Sequence, residues 1–232
     1  MKNRPILFSA PMVRAILEGR KTMTRRVMRI QPSEQWSPAE YGDIHKMRAG
    51  DFVLRHGEPL VVGWGPCSAD GEEGYSCPYG QPGDRLWLRE TWCHAWDGER
   101  DCWTDPERYY YRADGVEVVD EDGDDRSPWK PSIHMPRRAS RITLEVTGVR
   151  VERLQEISYE DSIAEGIGNM ASLCDEMDPS WRNIAGETTE VVARRLRWPQ
   201  REFKNLWTSI NGAGSWEANP WVWVVEFQRM RT

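Results

Sequence analysis

The pattern of apolar and polar residues at the start of the chain predicts a strand, a helix and a second strand. Residues 5–8 form a short apolar run that is typical of a strand. Ser9 is a suitable helix N-cap and Pro11 suits a first helical turn, so a helix is predicted to begin there. Apolar side chains recur at helical spacing up to Gly19, a residue that commonly ends helices. The chain is expected to extend again over residues 22–28.

A second strand-like stretch, residues 83–92, turns a carboxylate toward the core. Period-two alternation places Glu90 on the same inward face as the leucines of this stretch. Burying an unpaired carboxylate is costly. Glu90 is therefore expected either to pair with Arg25, Arg26 or Arg141, or to have a catalytic role, and the pattern leaves both open.

The remaining elements follow from the same periodicities. Alternation over residues 141–151 makes this the clearest strand, and an i, i+3, i+4, i+7 apolar spacing after Pro199 predicts an amphipathic helix. Several short strands with helices at their edges and long loops predict a barrel-like α+β fold. Further predicted elements are a hairpin at residues 51–55 and 59–64, a strand at 109–112, helices at 158–165 and 189–198, and a strand at 221–227.

The net charge of the chain limits the kinds of molecule that it can bind. The 232 residues carry 31 Lys and Arg against 37 Asp and Glu, a net charge of −6. A general polyanion binder is thereby excluded, and any nucleic-acid role needs a local basic patch. Residues 1–30 supply one, with eight Lys and Arg and a single acid, Glu18.

Localisation and metal content follow from what the composition lacks. No apolar run approaches the ~18 residues of a membrane span, and no signal peptide is evident, so a cytoplasmic protein is expected. The five cysteines form no C-x-x-C pair, which predicts reduced thiols and neither a disulfide framework nor a zinc ribbon. A metal site at Cys93, His94 and Cys102 is the disfavoured alternative.

The residues after Gly19 crowd cations around two threonines. Lys21 has Arg20, Arg25 and Arg26 as close neighbours in the sequence. Nearby like charges disfavour a protonated amine and lower its pKa, so Lys21 is a candidate base. The alternative is a solvated basic strand that contacts phosphates or nothing.

Three separated patterns form a recognisable set: G-x-K-x-x-T-x-R at residues 19–26, Gly-Asp at residues 83–84 and Arg-Glu-Thr at residues 89–91. The set resembles the ASCH family, relatives of the PUA RNA-binding domains. Four further segments are similar to the longer ASCH proteins found in phages and prophages: CPYG at residues 77–80, IHMP at 133–136, SRI at 140–142 and NPWVW at 219–223.

The resemblance implies an α+β fold, a small twisted PUA-like β-barrel with flanking helices and a cleft beside residues 19–26. Residues 1–232 are then a single ASCH domain, with long insertions near residues 31–50, 93–136 and 170–198. The implied ligand is a nucleoside or RNA, without a membrane partner, and a monomer is the default.

The resemblance also implies a chemistry. Some small ASCH proteins are amidohydrolases that remove the acetyl group from N4-acetylcytidine with a lysine, a threonine and a glutamate of these motifs. Carried over, these residues are Lys21 as base, Thr24 as nucleophile and Glu90, which protonates the leaving amine or orients Lys21. Arg26 or a backbone N–H holds the oxyanion. No metal or other cofactor is implied. The residues expected to bind the substrate are Ser9, Arg20, Arg25, Arg26 and Arg89.

Two other functions stay open. A non-catalytic RNA-binding module, or a ribonuclease, would use the same basic patch, and its binding would weaken steeply with salt. A structural phage component would instead form a stable oligomer and bind no ligand. The thirteen tryptophans do not decide the matter, because they suit loop packing and also base stacking.

Overall fold

The protein combines helices with mixed sheets, which confirms the predicted α+β class. The computed structural model describes residues 1–32, 77–94, 109–115, 129–168 and 197–230, together with the backbone of six short strands between them. None of the helices in these ranges has the length and apolar character needed to cross a membrane.

The elements are numbered here in chain order. The helices are α1 (Ala10–Leu17), α2 (Tyr159–Ala164) and α3 (Trp198–Asn211). The first strands are β1 (Asn3–Leu7), β2 (Met23–Val27), β3 (Ser37–Pro38), β4 (Phe52–Arg55), β5 (Glu58–Trp64), β6 (Glu72–Tyr75) and β7 (Arg85–Arg89). The others are β8 (Trp92–His94), β9 (Trp96–Asp97), β10 (Cys102–Trp103), β11 (Tyr109–Tyr111), β12 (Thr143–Arg153) and β13 (Trp221–Arg229).

The central sheet has five strands in the order β1-β7-β12-β13-β2. β1 runs parallel to β7, and the other neighbours are antiparallel. β1 and β2 are the two edges, since no ladder joins them within the described part of the chain. The described pairings therefore form an open sheet, and the ladder that would close the predicted barrel is not among them.

β13 is apolar almost throughout because both of its faces are buried. Trp223 and Val225 face a core formed with α1, β1, β7 and β12. Val222 and Val224 face a second core on the other side, where α3 packs. A strand buried on both sides shows a continuous apolar run instead of alternation.

β12 changes the side to which its residues point. Its register shifts between Val146 and Gly148, as a β-bulge does. Val149 and Val151 continue the first core after the shift, so Arg150 and its neighbours of the same parity face α2 and α3 instead. The bulge thereby delivers charged side chains to the side where Lys21 and Arg25 lie.

The start of the chain follows the sequence closely. Ser9 is the N-cap residue of α1 with extended backbone, and a proline lies in the first turn, as predicted. Gly19 has φ +75°, which lets the chain leave the helix in a left-handed turn. The amides of Arg20 and Lys21 then both donate to the Ala15 carbonyl, at 2.8 and 3.0 Å, before β2 begins.

The other predicted elements are recovered where the chain is described. β4 and β5 form the predicted antiparallel hairpin, which β6 extends as an unpredicted third strand. The predicted helix after Ser158 is α2, whose N-cap hydroxyl accepts from the Asp161 amide at 3.0 Å. The helix expected at residues 189–198 falls outside the described residues as far as residue 196.

Candidate functional site

A cavity of about 450 Å³ lies between the two edge strands of the sheet. The end of β1 and the start of α1 form one side of the cavity, β2 forms another, and α3 closes it. Arg26 crosses the gap, since its guanidinium donates to the Leu7 carbonyl. A concave site thus lies at the gap in the strand order.

Lys21 is fully buried beside this cavity. Its Nζ donates to Glu165 Oε2 at 2.6 Å and to the Glu165 carbonyl at 2.8 Å. A single antiparallel bridge joins the backbones of the two residues, and the Thr22 amide donates to the Ala164 carbonyl at 2.9 Å. The end of α2 is therefore locked onto the turn that carries the lysine.

The pKa of Lys21 is lowered from its ordinary value. Burial is the largest cause, Glu165 opposes it, and repulsion by Arg26 and Arg25 adds to it. The sequence predicted a lowered pKa, and desolvation contributes more to it than the neighbouring cations do. A buried lysine whose pKa is lowered in this way can act as a general base.

Thr24 is buried and lines the cavity. Among the described residues its side chain forms no hydrogen bond, and Lys21 Nζ donates to Glu165 instead of to Thr24. The hydroxyl is therefore available to a molecule in the cavity.

Glu165 is the functional candidate that sequence reasoning missed. It lines the cavity with Thr24, and its Oε1 accepts no hydrogen bond although the residue is buried. Arg25 Nη1 lies 3.6 Å from that oxygen. The predicted helix at residues 158–165 ends on this carboxylate just before a glycine, which was the one available signal.

The structure does not bring Glu90 to Lys21. Glu90 is buried on the inward face of its strand, as predicted, but its two carboxylate oxygens accept from Arg141 Nε at 3.0 Å and Nη2 at 3.2 Å. Arg141 also binds Asp114. Burial raises the pKa of Glu90, and the Arg141 hydrogen bonds and charge oppose that rise. Of the three arginines named as possible partners of Glu90, Arg141 is the one that pairs with it.

Arg25 is enclosed by carboxylates. Its Nη2 lies 2.9 Å from Glu152 Oε2 and 2.6 Å from Asp161 Oδ2. Arg150 shares both acids, through Glu152 Oε1 at 2.6 Å and Asp161 Oδ2 at 2.7 Å. These carboxylates therefore neutralise the positive charge of Arg25. Arg25 supports the floor of the cavity and offers little net charge to a ligand.

The other expected substrate-binding residues divide between the cavity and its surroundings. Ser9 and Arg26 line the cavity. Arg20 is exposed, pairs with Glu18 and donates to the Gly166 carbonyl at 3.1 Å. Arg89 is outside the cavity lining and donates through Nε to the Met135 carbonyl at 3.0 Å.

Arg26 differs electrostatically from Arg25. Its guanidinium carbon lies 5.2 Å from the Phe8 ring centroid, and its Nε is buried without a hydrogen bond. Within the described residues no carboxylate pairs with it. It is a cation that a negative oxygen in the cavity could approach.

The third wall is apolar and comes from α3. Phe203, Leu206, Trp207 and Ile210, the residues with the predicted helical spacing, all line the cavity. Trp207 Nε1 is buried without a hydrogen bond. The cavity thus offers an aromatic and aliphatic wall opposite a polar one, the usual layout of a small-molecule site.

The cysteines and histidines are the residues that the sequence offered as candidate metal ligands. Within the described residues no group of three or more His, Cys, Asp and Glu side chains could hold a metal ion. Cys77 and Cys93 are buried and unpaired with each other, and burial raises the pKa of the Cys77 thiol to about 12. The side chains of His94 and Cys102, which complete the disfavoured metal site, lie outside the described residues.

Comparison with known proteins leaves the site to be interpreted from its geometry. A scan against protein-family models and searches of curated proteins and of solved structures found no match to the chain.

Proposed function

We propose that this chain is an amidohydrolase of the ASCH type, with a PUA-like arrangement of its sheet, that removes the acyl group from N4-acetylcytidine or a close relative. One observation carries the proposal. A buried Lys21–Glu165 pair, joined at 2.6 Å, adjoins a cavity in which Thr24 is available as a nucleophile. The motif resemblance supplies the substrate class, and the cavity volume lies within the range for small-molecule sites, about 300–1,000 Å³.

The first half-reaction forms an ester. Thr24 Oγ1 attacks the acyl carbon, and its proton passes to the Lys21–Glu165 pair, where Glu165 Oε1 accepts no other hydrogen bond. The C–N bond then breaks, and the pair returns the proton to the departing N4 amine. Cytidine leaves, and the acyl group remains on Thr24.

The second half-reaction uses water. The water oxygen attacks the ester carbon and gives one proton to the pair. The pair then protonates Thr24 Oγ1 as the carboxylic acid departs, which restores the starting state. Arg26 stabilises the oxyanion in both halves, because a cation in a partly enclosed site acts strongly on developing charge.

In this scheme Glu165 takes the role that the resemblance implied for Glu90. Glu165 contacts Lys21 and lines the cavity, whereas Glu90 is held by Arg141. Glu90 then holds the segment that follows β7, where its neighbour Thr91 lines the cavity.

The test is a deacylation assay on N4-acetylcytidine followed by mass spectrometry. We expect Thr24→Ala and Lys21→Ala to abolish turnover, and Glu165→Gln to lower kcat by about 10²–10⁴-fold, the usual contribution of acid–base catalysis. Glu160→Gln is the matched control, since Glu160 is an exposed residue of the same helix.

Two results would contradict the proposal. If wild-type protein leaves N4-acetylcytidine and other N4-acyl cytidines intact, the chain is not such an amidohydrolase. A large loss of turnover in Glu90→Gln without one in Glu165→Gln would return the acid–base role to Glu90.

A further inference from the structure

Four arginines, two on β7 and two on the 3-10 turn at residues 137–139, have no acidic partner within the described residues. Arg85, Arg89, Arg137 and Arg138, here called the arginine face, are within ion-pair distance of no carboxylate in the part of the chain that the structure describes. The chain as a whole has a net charge of −6. An excess of unpaired cations on one surface of an acidic protein indicates a local site for a polyanion.

Two of these cations are held in place by a tryptophan. The guanidinium carbons of Arg89 and Arg137 lie 4.9 and 5.8 Å from the Trp87 ring centroid. Arg89 also donates to the Met135 carbonyl, and Arg137 Nη2 donates to Thr143 Oγ1 at 3.4 Å. Fixed guanidinium groups lose little entropy when they bind phosphate.

The arginine face continues the mouth of the cavity. Leu7 lines the cavity, is exposed, and is the registered partner of Arg89 across the β1–β7 ladder. Its carbonyl accepts from Arg26, the cation inside the cavity. Ser132, another lining residue, belongs to the 3-10 turn just before the turn that carries Arg137 and Arg138.

The far end of the face is marked by an acid. Glu145 is registered beside Arg85 on β12 and accepts from Gln228 Nε2 at 3.2 Å. The basic surface therefore runs from Arg26 and Leu7 at the cavity mouth as far as Arg85.

We propose that the ligand is a single-stranded polynucleotide, whose reacting nucleoside enters the cavity while the neighbouring phosphates lie on the arginine face. The inference rests on the proposed function for the identity of the base. A base inside a duplex cannot reach an enclosed site, so the strand must be unpaired there. Arginines bind phosphate oxygens by charge-assisted and bidentate hydrogen bonds.

The experiment measures binding of unmodified oligocytidylates by fluorescence anisotropy, with a mononucleotide, a trinucleotide and an octanucleotide at several salt concentrations. We expect affinity to rise at least tenfold from the mononucleotide to the octanucleotide. We also expect log K to fall with log salt by about 0.7 for each phosphate contact. Equal affinities at all lengths would overturn the proposal.

The variant Arg137→Gln/Arg138→Gln locates the contacts. It should lower octanucleotide affinity about tenfold and reduce the salt slope by about 1.4, the loss of two contacts. Arg201→Gln, an exposed arginine on α3 outside the face, is the matched control and should change neither. An unchanged slope in the double variant would contradict the proposed path.

Further arms identify the polymer and separate the two proposals. Stronger binding of RNA than of DNA oligomers assigns RNA, and the reverse assigns DNA, while equal binding of heparin at matched charge overturns the nucleic-acid inference. Binding needs no turnover. If affinity does not depend on oligonucleotide length, the proposal for the arginine face alone is overturned. If affinity depends on length but the protein does not deacylate its substrate, the proposal of amide hydrolysis alone is overturned.

Discussion

At the scale of single residues, Lys21 shows how burial can serve chemistry. Its charge is disfavoured by desolvation, and the one strong opposing contact is Glu165. A lysine with this balance can give up its proton more readily than an exposed one. The sequence could identify Lys21 and Thr24 because both lie in one motif. It could not identify Glu165, which lies 144 residues from Lys21 in the chain and is joined to it only by folding.

Glu90 gives a residue-scale prediction about pH. Burial raises its pKa above 4.5, so between pH 4.5 and the raised value the folded state holds a proton that the unfolded state has lost. The stability from this proton is present below pH 4.5 and is lost as the pH rises through the folded pKa. Across that window, the unfolding free energy of wild type should fall relative to Glu90→Gln by at most about 1.4 kcal/mol per pH unit.

Urea unfolding of both proteins between pH 4 and pH 7 measures this difference. Glu202→Gln, on α3, is the control for the general pH dependence of the chain. A constant difference between wild type and Glu90→Gln across the range would show that the carboxylate does not titrate there.

At the scale of elements, the sequence predicted individual strands and helices and one hairpin, but not the strand order of the central sheet. β13 and α3 were evident from apolar runs and helical spacing, because those patterns are local. The gap between β1 and β2 was not evident, since strand order depends on contacts between distant segments. The apolar face of α3 was predicted from its helical spacing, and the structure shows that its residues line the cavity.

The junction between α2 and the Lys21 turn gives a second prediction. Gly166 has φ +90°, and an added Cβ would lie 3.0 Å from Lys21 Cβ and 3.2 Å from Ala15 Cβ. Gly166→Ala therefore combines backbone strain of about 1–2 kcal/mol with a clash at the site. Gly83→Ala is the matched control, because Gly83 has φ +87° and nothing within 4 Å of an added Cβ.

We expect Gly166→Ala to lose about 1–3 kcal/mol more stability than Gly83→Ala, the typical cost of overpacking, as measured by urea unfolding. Displacing Glu165 from Lys21 should also lower deacylation in the first variant alone. Equal losses of stability in the two variants would show that the added methyl group at residue 166 causes no costly clash with Lys21 and Ala15.

At the scale of the whole molecule, a buried charge network ties the sheet to the helices. Asp161 of α2 accepts from Arg25 of β2 and Arg150 of β12 on the same oxygen, at 2.6 and 2.7 Å. Arg150 also reaches the half-exposed Glu226 of β13. This network contains equal numbers of buried cations and buried anions. The cations are Lys21, Arg25 and Arg150, and the anions are Glu152, Asp161 and Glu165. The cavity floor is therefore built on a set of charges that is neutral only as a whole.

That balance leads to a prediction about coupled substitutions. Asp161→Asn leaves an excess buried positive charge and should cost about 3–5 kcal/mol of unfolding free energy, as breaking a buried ion pair does. Arg150→Gln leaves an excess negative charge and should also destabilise. The double variant restores equal numbers, so its loss should be smaller than the sum of the single losses by about 0.5–3 kcal/mol. Urea unfolding at neutral pH measures all three, and additive losses would show that the two arginines and their acids act as separate pairs.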